Sequence, residues 1–359
     1  MDKYNLFLKT TIKRLSAMAA KCKANNNSSD ARKYLQKIIS DRKELKVIEQ
    51  VLDILDEEKF LFQNISRTNL ITEQDIVSKV WAPLLKKTLS VGGDLVRTKL
   101  GESISQYSQA EKQLQYVNMK HIKAFKVDIR FLYDLNGNEY DVGAGEAAKE
   151  AIDEAKILSD KSKLLREEKD VLDRILNTVI PEDDAKNAMG HTIQIKGLCA
   201  QVISVYLNPT GLYIAKPLFK IYFPASLLDL SDFREGLKNI FHFAHLLEDN
   251  AKLYESAMNS RKRRLSCIGS DYSTRESKQP GHSLLSLMKP TYYTPSNGNR
   301  TYSVFNHSNT HQSRKTPSPE PTVEENKLDA DENGWVLMQD GKWFHHEAMI
   351  TLDTSPYEE

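Results

Sequence analysis

Two acidic residues, Asp128 and Glu146, lie on either side of an Asn-Gly pair in the stretch AFKVDIRFLYDLNGNEYDVGAGE. Carboxylate oxygens are the ligands that a hard divalent cation such as Mg²⁺ prefers. A cation held there can activate water and neutralise the charge that develops during phosphodiester hydrolysis, and a nearby lysine can stabilise that charge. The two acids therefore predict a Mg²⁺ site, provided that the chain brings them together.

The flanking runs alternate apolar and polar residues, which predicts two strands of a β-hairpin, and the hairpin's register decides whether the acids meet. With Asn136-Gly137 as a two-residue turn, Asp128 falls opposite Gly145. With a three-residue loop and a bulge, Asp128 falls opposite Glu146. The Asn-Gly pair favours the two-residue turn, which would separate the acids.

Other elements must position this hairpin. Residues 4–57 have helical periodicity broken at NNNSSD, which predicts a helical hairpin at 1–62 or a short coiled coil. Thr72 and Asp75 predict a capping box for the next helix, which Pro83 should kink. Further on we expect a strand in DLVRTKLGES, a polar helix at 107–123, a charged helix from 146 to about 177, two β segments around the turn 208–211, and a long final helix.

Together these elements predict an α+β domain at 70–258 whose core runs helix, three strands, helix, strand. From about residue 259 to 325 Ser, Thr, Pro and basic residues replace the apolar periodicity, which predicts a disordered basic linker. An acidic tail at 326–359 contains a second hairpin at 335–346. Its Asp340-Gly341 turn predicts that Leu337 lies opposite Phe344 and Met338 opposite Trp343.

Composition limits the classes of function. The chain of 359 residues carries 50 Lys and Arg against 49 Asp and Glu, so a nucleic-acid surface must be a local patch. The 3 cysteines form no zinc or disulfide pattern. No apolar run approaches the roughly 20 residues that span a bilayer, and no secretion signal is evident, so we expect a nuclear or cytoplasmic protein without a membrane contact.

The order helix, strand, strand, strand, helix, strand between residues 73 and 207 resembles the core of the PD-(D/E)XK nuclease superfamily. The resemblance implies that Asp128 and Glu146 bind the metal ion. It also implies an additional acid from the first part of the core, Glu73 or Glu102.

The resemblance further implies a catalytic lysine two residues after the glutamate. That position is Ala148 in this chain. The role is therefore expected of Lys149, or of Lys163 or Lys169 on the following helix.

A second resemblance is to a group of uncharacterised, lineage-restricted fungal proteins. It is carried by VWAPLL, VDIR, DVGAGEAAK, DKSKLLREEK and FPASLLDLSDFREGLKNIF. It covers roughly residues 70–250 and implies one continuous domain without a known activity.

Two further patterns have structural interpretations. Gly143 and Gly145 are expected to permit a bulge or the close approach of another backbone. The acidic and basic residues of DEAKILSDKSKLLREEK are expected to form a solvated, salt-bridged helix face.

The motif RKRRLS places four basic residues, Arg261, Lys262, Arg263 and Arg264, in the predicted linker. Such a run is typical of nuclear-import or phosphate-binding segments. Ser266 follows in a context that basophilic kinases favour, and Thr316 and Ser318 precede prolines. A phosphate on Ser266 would oppose the basic run.

These patterns favour a nuclease-like protein that binds nucleic acid or a protein partner, with Mg²⁺-dependent phosphodiester hydrolysis if the site is intact. The alternative is a non-enzymatic nuclear adaptor, regulated by phosphorylation of its tail, that recruits a protein through the C-terminal hairpin.

Overall fold

The computed structural model describes residues 2–25, 27–39, 43–65, 70–116, 122–148, 154–178, 187–266, 284–292, 335–337, 343–345 and 350–352. These residues belong to two compact units, 1–294 and 295–359. No helix within the described ranges is long and apolar enough to cross a membrane.

The first unit is an α+β domain. Its helices are α1 (Asp2–Asn25), α2 (Ser29–Gln36), α3 (Leu45–Glu57), α4 (Lys59–Asn64), α5 (Glu73–Ile76), α6 (Ala82–Gly92), α7 (Gln106–Gln115), α8 (Glu154–Asn177) and α9 (Phe233–Ser266). Its strands are β1 (Arg97–Ile104), β2 (Lys126–Leu135), β3 (Asn138–Ala148), β4 (Gly190–Lys196), β5 (Cys199–Leu207) and β6 (Tyr213–Tyr222).

The six strands form one mixed sheet in the order β1-β2-β3-β4-β5-β6. Only β3 and β4 are parallel, and α8 lies between them in sequence, as a parallel connection requires. Helices cover both faces. A side chain at Gly143 would meet Leu247 of α9, whereas the next residue, Ala144, packs with Leu164 of α8. Residues of β3 therefore point alternately to the α9 face and the α8 face.

The N-terminal segment is part of the same unit. The predicted hairpin of two helices was wrong in number, since the described parts of residues 2–64 contain four helices, α1 to α4. Ile48, Leu52 and Leu55, which would form the heptad seam of the coiled-coil alternative, are buried, and α3 packs against α6. The seam therefore serves the domain core and not a coiled coil.

The helical segment before β1 starts at the predicted capping box. Thr72 Oγ1 accepts from the Asp75 amide at 3.0 Å, and Asp75 Oδ2 accepts from the Thr72 amide at 2.9 Å. Pro83 lies just after a π-helical turn, Val77–Trp81, in which the Ala82 amide donates to Val77 O. Proline has no amide hydrogen and would interrupt the hydrogen bonds of a regular α-helix. The π-helical turn, with hydrogen bonds five residues apart, lies just before that point.

The β segments after α8 differ in number from the prediction. The first segment is two strands, β4 and β5, because the chain reverses at Gly197, whose φ is +57°. The predicted turn at 208–211 does connect β5 to β6, and Asn208 Oδ1 accepts from the Thr210 amide at 2.8 Å.

The predicted disordered linker, 259–325, was wrong for two of its parts. Helix α9 continues to Ser266, and residues 284–292, here called the strap, pack against α7 and α8. Lys112 of α7 donates to Thr291 O, and Lys169 of α8 donates to Lys289 O and, at 2.9 Å, to Thr291 Oγ1. The rest of the predicted linker lies outside the described residues.

The second unit contains three short antiparallel strands in the order β7 (Trp335–Leu337), β8 (Trp343–His345) and β9 (Ile350–Leu352). The predicted hairpin exists, but its register was wrong by one residue, because Leu337 lies opposite Trp343 and Val336 opposite Phe344. Strand β9 has no counterpart among the predicted elements.

Candidate functional site

The β2–β3 hairpin combines parts of both predicted alternatives. Asn136 and Gly137 form a two-residue turn with φ of +52° and +78°, as in a type I′ turn. Farther from the turn, Leu132 pairs with Asp141 but Phe131 pairs with Gly143, so β3 contains one extra residue at this point. Such a bulge shifts the register by one.

The shifted register brings the two acids together. Ile129 pairs with Gly145, and the next position outward places Asp128 opposite Glu146 on the α8 face. Asp128 Oδ2 accepts from the Ala147 amide at 2.9 Å, which fixes its side chain against β3. We call Asp128 and Glu146 the acidic pair.

Lys163 of α8 completes this arrangement. Its ammonium donates to Glu146 Oε1, in an ion pair in which Glu146 is 8% exposed and Lys163 is 30% exposed. Lys163 thus supplies a positive charge beside the acidic pair. The resemblance expects that charge from a lysine at position 148 of β3, where this chain has alanine.

Burial and charge perturb the acidic pair. Burial, together with the charge of Asp128, raises the pKa of Glu146 to about 7, against the lowering effect of Lys163. Burial likewise raises the pKa of Asp128. Glu146 therefore titrates near neutral pH, where a bound cation would favour its ionised form.

One atom of the acidic pair lacks a donor. Glu146 Oε2 is buried and has no hydrogen-bond partner among the described residues. An unpartnered buried carboxylate oxygen is costly unless a cation or water satisfies it. The donor set of two carboxylates suits Mg²⁺, which commonly takes one or two protein carboxylates and completes its coordination with water and substrate phosphate.

The remaining predicted site residues are arranged differently. Glu102 of β1 is 68% exposed and pairs with Lys126 at 2.8 Å, although its charge, like that of Glu73, acts on Asp128. Lys149 lies outside the described residues. No group of three or more His, Cys, Asp or Glu suited to hold a metal ion occurs in the described part of the chain.

Glu168 is a residue that sequence reasoning missed. It is fully buried on α8, and its Oε2 accepts from the Ala144 amide at 3.1 Å. The amide of His191, at the start of β4, donates to the same carboxylate. Glu168 therefore binds backbone from both parallel strands, next to the bulge of β3. Burial raises its pKa well above the ordinary value.

The predicted solvated face of α8 was wrong for its C-terminal half. Glu167, Glu168 and Asp170 are each 4% exposed or less. The partners of these acids are buried as well, since Ser108 donates to Glu167 and Lys112 lies 3.4 Å from Asp170. A sequence signal did exist, because these acids fall between Leu164 and Val171 on the same buried side of the helix.

Arg130 belongs to the same buried network. It is 2% exposed and binds Asp141 through two bonds of 2.7 and 2.9 Å. Arg174 of α8 lies 3.6 Å from the same carboxylate. These paired charges connect α8 to the hairpin that carries the acidic pair.

The basic run lies elsewhere in the fold. Arg261, Lys262, Arg263 and Arg264 belong to the last turns of α9, and Ser266 is the final residue of that helix. The run is thus helical and not part of an extended linker. Thr316 and Ser318 lie outside the described residues.

Comparison of the chain with family models, with curated proteins and with solved structures finds no match. The two resemblances drawn from the sequence therefore remain predictions, and the geometry of the site carries the functional argument.

Proposed function

We propose that this protein is a Mg²⁺-dependent phosphodiester hydrolase built on a PD-(D/E)XK-type scaffold. The observation that carries the proposal is the bulge of β3, which places Asp128 opposite Glu146 with Lys163 in contact. The sheet order supports the scaffold, because three antiparallel strands are followed by α8 and a strand parallel to β3.

The residues would divide the work as follows. Asp128 and Glu146 would hold the cation, and the unpartnered Oε2 of Glu146 is the atom left available for it. The bound cation supplies Lewis acidity and neutralises developing negative charge. Lys163 stabilises charge on the phosphate in the role expected of the lysine absent at position 148.

The test uses the purified full-length chain with Mg²⁺ or Mn²⁺ and labelled single- and double-stranded DNA and RNA. We expect cleavage by the wild type and a loss of at least about a hundredfold in Asp128→Asn and Glu146→Gln, as for removal of groups that stabilise the transition state. Glu255→Gln, an exposed acid on α9, is the matched control and should cleave normally. Equal cleavage by wild type and Glu146→Gln would reject the proposal.

The alternative function is a non-enzymatic nuclear adaptor. It is favoured by one observation, that residues 295–359 form a separate compact unit with its own three-stranded sheet. The test of this alternative has two parts: nuclear import should depend on Arg261–Arg264, and partner capture should depend on residues 326–359. The protein should cleave none of the nucleic-acid substrates.

A further inference from the structure

A polar row crosses the α8 face of the sheet, starting at the acidic pair. The Cα partners in β3, β4, β5 and β6 are, in order, Glu146, Gln194, Gln201 and Lys220. The neighbouring row is Ala148, Lys196, Cys199 and Tyr222. Because paired residues in adjacent strands point to the same face, both rows share the face of Glu146.

The far end of these rows is basic, aromatic and accessible. Lys196, Lys220 and Tyr222 are all exposed, and Tyr222 is 59% exposed. Within the described ranges no carboxylate lies in ion-pair distance of Lys196 or Lys220. The lysines nearer the site differ in this respect, because Lys126 pairs with Glu102 and Lys163 pairs with Glu146.

A second bulge gives β6 this orientation. Ile203 pairs with Pro217 and Val202 with Phe219, so Leu218 is an extra residue in β6. Before the bulge, Tyr213 donates to Asp173 of α8. After the bulge, Phe219 stacks on His242 of α9 at a centroid distance of 4.9 Å.

If β6 contained all of its residues but no bulge, Tyr213 and Phe219 would share one face, because residues an even number apart do so in a regular strand. The bulge turns Phe219 to the α9 face and therefore places Lys220 and Tyr222 on the α8 face, with the acidic pair. Lys216 pairs with Ser204 and lies on the opposite face.

We propose that Lys196, Lys220 and Tyr222 form the binding surface for a single-stranded nucleic acid, on the same face of the sheet as the acidic pair. Helix α8 covers the middle of the polar row, since Gln194 donates to Ile157 O at 3.2 Å, so the nucleic acid lies at the exposed end of the row. The substrate class rests on the proposed function, since the row begins at the proposed metal site. The two lysines contact phosphates, and the exposed Tyr222 ring stacks on a base.

The dimensions suit a short stretch of nucleic acid. Adjacent strands lie about 4.8 Å apart, so the row spans about 14 Å from Glu146 to Lys220. A single strand fits this surface better than a duplex, because stacking on Tyr222 requires an unpaired base. The chain as a whole has a net charge of only +1, so the binding energy must come from such a local patch.

The test measures binding without cleavage. Full-length protein in EDTA is titrated with a short labelled single-stranded oligonucleotide, followed by fluorescence anisotropy over a salt series. The double variant Lys196→Gln/Lys220→Gln should bind about tenfold more weakly, and the slope of log affinity against log salt should fall by about 1.4, as for two lost phosphate contacts. Tyr222→Ala should lose about tenfold, and Tyr222→Phe should bind like the wild type.

Lys216→Gln is the matched control, since it removes an exposed lysine from the opposite face of the same strand and should leave affinity unchanged. Equal weakening by Lys216→Gln, or unchanged affinity in the double variant, would overturn the surface. Tighter binding of a duplex, with no effect of Tyr222→Ala, would overturn the single-strand assignment.

This design separates the two proposals. If binding depends on Lys196, Lys220 and Tyr222 but the protein never cleaves, the hydrolase proposal is rejected and the binding-surface proposal is kept. If cleavage depends on the metal ion and the double variant has an unchanged KM, the binding-surface proposal is rejected and the hydrolase proposal is kept.

Discussion

The side chain of Glu168, on α8, packs directly against the backbone of Gly190, at the start of β4. A Cβ atom at position 190 would lie 2.6 Å from Oε1 of Glu168 and 2.9 Å from its Cγ. The absent side chain therefore leaves the space in which the buried carboxylate meets the amides of Ala144 and His191. This contact holds the bulged strand that presents Glu146.

The first prediction concerns this fit. Gly190→Ala should lower the free energy of unfolding by about 1–3 kcal/mol, since the added methyl group overpacks a fully buried position. The effect should shrink in a Glu168→Ala background, because the clashing carboxylate is then absent. Urea denaturation of the four proteins of this cycle measures the coupling, and strictly additive losses would contradict it.

The second prediction separates the acceptor role of Glu168 from its volume. Glu168→Leu leaves two buried amides without an acceptor, at a cost of about 1–3 kcal/mol each, whereas Glu168→Gln keeps an accepting oxygen. Hydrogen exchange at the amides of Ala144 and His191 should accelerate in the leucine variant alone. Glu167→Leu is the control, because Glu167 binds Ser108 of α7 and should leave both amides protected.

The third prediction tests the electrostatics of the acidic pair. Lys163→Gln should raise the pKa of Glu146 above about 7, because the opposite charge that lowers it is removed. Asp128→Asn should lower that pKa, since a neighbouring negative charge is lost. Carbon-detected NMR titration of the Glu146 carboxyl measures both. Lys161→Gln, on the same helix, should leave the pKa of Glu146 unchanged.

The fourth prediction is a pH dependence of stability. The pKa of Glu146 is raised from 4.5 to about 7, so between these values the native state binds more protons than the unfolded chain. The contribution of Glu146 is therefore present below pH 4.5 and is lost as pH rises to about 7. It amounts to about 3 kcal/mol over this window.

The measurement for this effect is the difference in unfolding free energy between wild type and Glu146→Gln. That difference should change in favour of the variant as pH rises. Taking the difference also removes the opposite contribution of His191, whose pKa burial lowers to about 4. A difference that stays flat with pH would contradict the raised pKa of Glu146.

The fifth prediction concerns the strap. Lys169→Met removes the donor to Lys289 O and Thr291 Oγ1 and should release residues 288–292 from the groove between α7 and α8. Hydrogen exchange within the strap should rise toward that of an exposed segment. Lys161→Met should leave the strap protected. Unchanged protection in Lys169→Met would show that the two contacts do not hold the strap.

Local patterns predicted much of this fold. The Asn136-Gly137 turn and the Thr72–Asp75 capping box were confirmed, because both depend on short-range backbone chemistry. The charged helix expected to end near residue 177 was also confirmed as α8, and its buried Leu164, Val171 and Leu172 follow helical periodicity.

Long-range features escaped sequence reasoning for a physical reason. The bulge of β3 is stabilised by Glu168, which is separated from Ala144 by the whole connection into α8, so no local pattern fixes the register of the acidic pair. The strap is held by lysines of α7 and α8 that bind backbone carbonyls, and its own composition gives no sign of this. Gly143 and Gly145 indicated that a bulge was permitted in this stretch, but not where it would lie.

The two bulges each depend on a single inserted residue, Val142 in β3 and Leu218 in β6. Because each bulge absorbs its extra residue, deletion of Val142 or Leu218 would straighten the strand and leave the pairing beyond it unchanged, so Asp128 would stay opposite Glu146 and Lys220 would stay beside Gln201. A three-nucleotide deletion in the gene at either position would thus remove a bulge and keep the arrangement of the side chains beyond it. In a divergent descendant of this chain, a one-residue gap at either position is therefore compatible with a retained site, whereas replacement of Asp128 or Glu146 is not.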